Sequence, residues 1–150
     1  MGLDMYLYAT KYVDDYNDKP LLAKILKAVP LGDKISENSG NFKSASVEIR
    51  AAYWRKANAI HGWFVNNLAN GVDECQRIEV GRESLQELYD LCEAAIKTGK
   101  AEALAPVGGF FFGSTEINEG YWEDLKDTVR QLKPLLALPP DWEFYYQASW

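Results

Sequence analysis

Tyr53-Trp54-Arg55-Lys56-Ala57-Asn58-Ala59-Ile60-His61-Gly62-Trp63-Phe64 is the stretch on which the reading of this chain turns. It holds two of the five tryptophans, the only histidine and an adjacent pair of cations. Read as helix, it places Arg50, Trp54, Ala57 and His61 on one stripe, at spacings of four, three and four. Tyr53, Ile60, Phe64 and Leu68 form a neighbouring apolar stripe able to face a core. The periodicity therefore predicts one long helix from about Val47 to Ala69. Asn70-Gly71 stops it, since glycine can take the left-handed conformation. Such a helix carries a packing face beside a face of aromatic, cationic and imidazole groups, and the second face is the candidate site.

Outward from that helix the pattern alternates between strand and helix. Leu3, Met5 and Leu7 alternate with Asp4, Tyr6 and Tyr8, which predicts a strand almost from the first residue. Pro20 opens a short helix carrying Leu21, Leu22, Ile25 and Leu26, closed at Val29-Pro30. Leu31 to Ser46 reads as polar, irregular loop. Arg77 to Val80 suits a short strand, and Glu83 to Lys97 a helix with Leu85, Leu88, Cys92 and Ala95 on one stripe. Phe110-Phe111-Phe112-Gly113 reads as another short strand, which would put Phe111 on the face opposite its neighbours. Ser114 and Thr115 can then cap or turn the chain into a helix with Tyr121, Leu125, Thr128 and Leu132 in phase, ended by Pro134. In the last strand, Trp142 to Ala148, Trp142, Phe144 and Tyr146 point one way, and Glu143, Tyr145 and Gln147 the other. The predicted fold is α+β: one domain over residues 1–150, with a small, mainly antiparallel sheet that includes both terminal strands, packed with three to four helices.

Composition limits the function classes. Apolar residues make up 47% and charged residues 25%, as in an ordinary soluble domain, while aromatics reach 13%, high enough to imply a pocket or an interface. The net charge of −6 disfavours direct binding to nucleic acid or an anionic membrane. No apolar run approaches the roughly 20 residues needed to cross a bilayer. Cys75 and Cys92 are expected as free thiols in a reducing, cytoplasmic compartment, Cys92 as a core residue. Lys43 to Lys56 carries four cations against one acid, whereas Asp73 to Glu93 carries seven acids and two arginines. These are either two solvated faces or a local basic pocket in an acidic protein, suited to a small anionic ligand.

Chemistry-bearing motifs are few. One histidine and two distant cysteines give no zinc spacing, and no metal or cofactor is expected. Glu116, Glu119, Glu123 and Asp124 cluster, but acids in the first turns of a helix meet its dipole favourably. There is no Walker loop, dinucleotide fingerprint or nucleophile elbow. His61 is either a general base or a packed, satisfied residue, with Asp4, Asp73 or Glu116 as acidic partner in the first case. The acids flanking Cys75 work against a reactive thiolate. A nucleobase could stack on Trp54, Trp63, Tyr121 or Trp122 while Arg50, Arg55 or Lys56 meets a phosphate. A chain ending in Tyr145-Tyr146-Gln147-Ala148-Ser149-Trp150 is expected to tie down its final tryptophan, and self-association through aromatics is a further option.

Several blocks together carry a resemblance. They are Met1-Gly2-Leu3-Asp4-Met5-Tyr6-Leu7, Tyr53-Trp54-Arg55-Lys56-Ala57-Asn58 with Ile60-His61 and Trp63-Phe64-Val65, and Gly71-Val72-Asp73 with Cys75. Phe110-Phe111-Phe112-Gly113 with Thr115-Glu116, Glu123-Asp124-Leu125 and Glu143-Phe144-Tyr145-Tyr146-Gln147 with Ser149-Trp150 complete the set. Over nearly the whole chain, these segments resemble a family of small proteins of bacteriophages, prophages and bacterial genomes. The departure lies mainly between Asp14 and Lys43. The resemblance supplies context and no catalytic residues. It implies a phage- or prophage-type accessory protein, with counter-defence one such role, that binds a small anionic, nucleotide-like ligand or blocks a host protein. The ligand-binding residues expected are Arg50, Trp54, Arg55, Asn58, His61, Tyr121 and Tyr146, and loss of Trp54 or Arg55 is expected to abolish binding while leaving folding largely intact. The alternative is a small hydrolase or transferase using His61 with an acidic partner.

Overall fold

Alternation dominates the start of the chain. Leu3, Met5, Leu7 and Ala9 are buried, and the residues between them are partly exposed along strand β1 (Asp4–Asp14). The computed structural model describes residues 2–40 and 42–150. After β1 come α1 (Lys19–Ala28), α2 (Gly32–Glu37), β2 (Ser44–Arg55), α3 (Asn58–Leu68), β3 (Ile78–Val80), α4 (Arg82–Thr98), a 3-10 turn (Glu102–Leu104), α5 (Glu119–Leu136) and β4 (Glu143–Ser149). The strands form one four-stranded antiparallel sheet in the order β2-β1-β4-β3. The strands at the two ends of the sequence are therefore neighbours, and the α+β class holds. β3 pairs with β4 so that Ile78 lies opposite Tyr146 and Val80 opposite Phe144.

The chain divides into two compact units, Met1–Ala9 with Arg50–Trp150, and Thr10–Ile49. In the smaller unit, Asp18 caps α1, its carboxylate accepting from the Leu21 amide at 3.2 Å and from the Lys11 ammonium at 2.8 Å. The hydrogen bond from Lys11, followed by the one from Leu21, holds the Asp18 carboxyl below its usual range. The loop expected from Leu31 to Ser46 contains α2 and the start of β2, and its Asn41 lies outside the described residues. Only Gly32 of α2 is buried, so this helix has no apolar stripe to announce it.

The larger unit holds the main core and the candidate site. One helix from Val47 to Ala69 does not form. Its first half is β2, followed by a break at Lys56 (φ 59°), and only its second half is helical. β-Branched Val47 and Ile49 favour the pleated form, and Ala52 and Trp54 face inward while Tyr53 between them is 42% exposed. Period two thus wins in β2, and Tyr53 leaves the core stripe it was expected to share with Ile60 and Phe64. α3 does end at Asn70 (φ 51°) and Gly71 (φ 77°).

α4 buries Leu85, Leu88, Cys92 and Ala95, and α5 buries Tyr121, Leu125, Thr128 and Leu132, the stripes the spacing predicts. Burial pushes the Cys92 thiol up to about 12, so it is an inert core group. Asn118, rather than Ser114 or Thr115, caps α5 by accepting from the Tyr121 amide at 3.3 Å. Pro134 sits inside the last turn instead of ending it, and buried Leu135 anchors that turn beyond the proline. The expected strand at Phe110–Gly113 is a turn instead. Phe110 is 95% exposed, Phe111 half-buried and Phe112 buried, so the side chain left in solvent is Phe110 and not Phe111.

Candidate functional site

Of the three concavities lined by α3 and by the long loop between the 3-10 turn and α5, two hold expected site residues. The larger, of about 450 Å³, is walled by His61, Gly62 and Val65 of α3, by Asp73, by the segment from Val107 to Phe112 and by Trp150. The smaller, of about 210 Å³, is a polar cleft holding Arg55, Lys56, Asn58, Glu116, Tyr121 and Asp124.

The loop is fixed mainly by one side chain. Buried Asn58 donates from Nδ2 to the carbonyls of Phe112 at 3.0 Å and Ser114 at 2.8 Å, and its Oδ1 accepts from the Val107 amide at 3.2 Å. A clamp of this kind satisfies backbone groups that a loop would otherwise leave unpaired. The Leu3 amide adds a bond to the Phe111 carbonyl at 3.2 Å. Gly62 allows the close approach of loop to helix: a Cβ there would stand 2.3 Å from Val107 Cγ2.

His61 is held from both sides. The turn after α3 is closed by the Gly71 amide to Val65 carbonyl bond at 3.0 Å and by the Val72 amide to Ala69 carbonyl bond at 2.9 Å. It brings Asp73 Oδ2 to 2.9 Å from His61 Nε2. From β4, the Tyr146 hydroxyl reaches Nδ1 at 2.7 Å, its ring stacked on Phe64 at 4.0 Å. Burial, and then the charge of Asp73, pushes the Tyr146 phenol well above its ordinary value, so it keeps its proton. A buried hydroxyl whose neighbour is a ring nitrogen satisfies its hydrogen by donating it. On that pattern Nδ1 accepts from Tyr146, and Nε2 faces Asp73. Asp73 Oδ1 also accepts from the Trp150 indole at 3.3 Å. The imidazole is 1% exposed, whereas a quarter of the Asp73 side chain (24%) remains open. Of this pair, it is the Asp73 carboxylate that is open to the pocket, whose lining also includes Asn66.

The expected single face of Arg50, Trp54, Arg55, Asn58, His61, Tyr121 and Tyr146 is dispersed, because half of it is strand. Arg50 lies over the Tyr6 ring at 4.5 Å and lines neither concavity. Trp54 is buried in the core, its indole donating to Thr128 Oγ1 at 3.0 Å. Trp54, Trp63 and Tyr121 are each 6% exposed or less, packed too deeply to stack a nucleobase. Arg55, Asn58 and Tyr121 meet at the cleft, where the Tyr121 hydroxyl donates to the Leu104 carbonyl at 2.9 Å and burial pushes its phenol up to about 12. His61 alone of the seven lines the pocket, with Tyr146 behind it. Of the acids considered for His61, Asp4 instead accepts from the Tyr53 hydroxyl at 2.6 Å and Glu116 lines the cleft, leaving Asp73 as its partner.

Sequence reasoning missed the phenylalanine loop as a pocket wall. Its signal was present in Gly108-Gly109 beside three phenylalanines, but it read as a strand. Asp124, in the cleft, has its carboxyl pushed up to about 6, first by burial and then by the charge of Asp127. Among the described residues, no group of three His, Cys, Asp or Glu side chains is placed to hold a metal ion. No described helix is long and apolar enough to cross a membrane. No protein-family model, curated protein or solved structure matches the chain.

Proposed function

We propose that this protein works by recognition, holding a small ligand in the pocket between α3 and the phenylalanine loop. The observation that carries the reading is the state of His61. Both ring nitrogens are engaged and the ring is 1% exposed, so it offers no free lone pair to a substrate. The pocket lining contains no Ser, Thr, Cys or Lys to act as nucleophile, and Cys75 lies outside it. A concave, mostly apolar cavity with a few convergent polar groups is the ordinary form of a small-molecule site. With the resemblance to phage and prophage proteins, this reading gives an accessory protein that sequesters a ligand, counter-defence being the setting it fits. A small anionic, nucleotide-like ligand would instead require Arg55 and Lys56, and so the cleft. A host protein or a second copy would cover exposed Phe110.

One observation favours catalysis as a second reading, the 2.9 Å contact of His61 with Asp73. A hydrolase or transferase could use that pair only by releasing one of the two bonds on the imidazole. The two readings separate in one experiment. Protein purified gently from bacterial cells should show a native mass above its denatured mass, and the released ligand should return unchanged after incubation with fresh protein. A bare native mass with no capture from cell extract would end the sequestration reading. Conversion of the ligand would establish the enzyme.

A further inference from the structure

We infer that the pocket selects a cationic ligand, an amine or quaternary ammonium group carried on an apolar or aromatic body; this rests on the pocket being a ligand site. The first ground is charge. Asp73 is the pocket's acid, and no lysine or arginine stands in the lining to neutralise it. His61 reaches the same carboxylate through Nε2 at 2.9 Å, and its other ring nitrogen is taken by the buried Tyr146 hydroxyl. The cations nearest in sequence to His61, Arg55 and Lys56, belong to the cleft, and the Lys56 stem packs near Gly113 on that side of the loop.

The second ground is geometry. Each Asp73 oxygen accepts one bond, from Trp150 and from His61, while a carboxylate has about four acceptor positions. Lone pairs therefore remain for an ammonium, and the carboxylate is held in place before any ligand arrives. The surrounding rings meet edge to face rather than in a stack. Phe112 stands at 86° to His61 and 70° to Trp150, with centroids 5.0 and 6.0 Å apart, and Phe110 stands at 88° to Phe111 at 4.8 Å. Rings so turned present π faces in several directions, the arrangement that surrounds a cation rather than sandwiching a planar base. Aromatic walls also lower the local dielectric, which strengthens attraction to the carboxylate and disfavours any anion.

The test uses three probes with one phenyl ring and different head groups: 2-phenylethylamine, 2-phenylethanol and phenylacetate, titrated into the intact protein by ligand-observed NMR. The amine should bind about tenfold or more tightly than the alcohol, with phenylacetate weakest. Asp73→Asn, which removes the charge and keeps a single carbonyl oxygen as acceptor, should erase that preference. Equal binding of all three, or preference for phenylacetate, overturns the charge assignment and leaves the pocket as a ligand site. Binding of none overturns both. The head-group series on the unmodified protein decides the matter even if the variant folds poorly.

Discussion

The pocket and the cleft share a helix and a loop, yet differ in chemistry. On the pocket side stand phenylalanines, a tryptophan and one carboxylate held by the His61 imidazole. The cleft sets Arg55 and Lys56 against Glu116 and Asp124 in about half the volume, 210 against 450 Å³. Opposed charges in an open groove offset one another and are screened by solvent, so the cleft has weak selectivity for any ion. The single acid of the pocket has no such competitor. Site chemistry here depends on which side of α3 a residue faces, which a linear stretch of cations and aromatics cannot convey.

The sharpest way to break the comparison is to remove what both regions stand on. Trp54 is 3% exposed and bonds Thr128, whose hydroxyl in turn donates to the Asp124 carbonyl at 2.7 Å. Trp54→Ala should cost about 3–5 kcal/mol in denaturant unfolding, against the sequence-level expectation of an intact fold. A loss as small as that of a surface substitution would return Trp54 to the candidate site residues.

Asn58→Ala removes the clamp on the loop that both regions share. Three hydrogen bonds disappear and the Val107 amide and two carbonyls lose their partner. A stability loss of about 2–4 kcal/mol is expected, with faster amide exchange from Val107 to Ser114. Unchanged exchange in that segment would mean that the loop is held by other contacts.

Asp124→Asn isolates the cleft. The folded-state carboxyl is raised to about 6 from 3.8, so the native chain binds a proton more readily than the unfolded chain. Stability therefore falls as pH rises through the window between those values, and the penalty is complete above the upper one. The neutral variant should lose that slope and be more stable at neutral pH, by on the order of 1 kcal/mol once solvent screening of a partly exposed group is allowed for. Urea midpoints of both proteins at acid and neutral pH check this, and parallel curves would show that Asp124 does not titrate in that window.

Much of the fold was legible because burial follows period in single elements. β1, α4, α5 and β4 each have one buried face, and their alternation or stripe could be read directly. The segment from Ser44 to Phe64 misled because Trp54, Ala57 and His61 satisfy helical spacing across a break at Lys56 that only backbone geometry reveals. Asp73 was legible as one of three acids for His61, but its selection required the turn at Gly71 to fold back. The phenylalanine loop read as a strand despite its paired glycines, since Asn58, more than forty residues away, fixes it as a wall.

The most direct measurement is a set of native mass spectra of the protein and two variants purified from the same cells. Val65→Trp fills the pocket, and Arg55→Ala with Lys56→Ala strips the cleft of its cations. The account predicts a retained small-molecule mass on the unmodified protein and on the cleft variant, and a bare mass for Val65→Trp. A ligand that survives Val65→Trp and disappears with the loss of Arg55 and Lys56 would contradict it and move the site to the cleft.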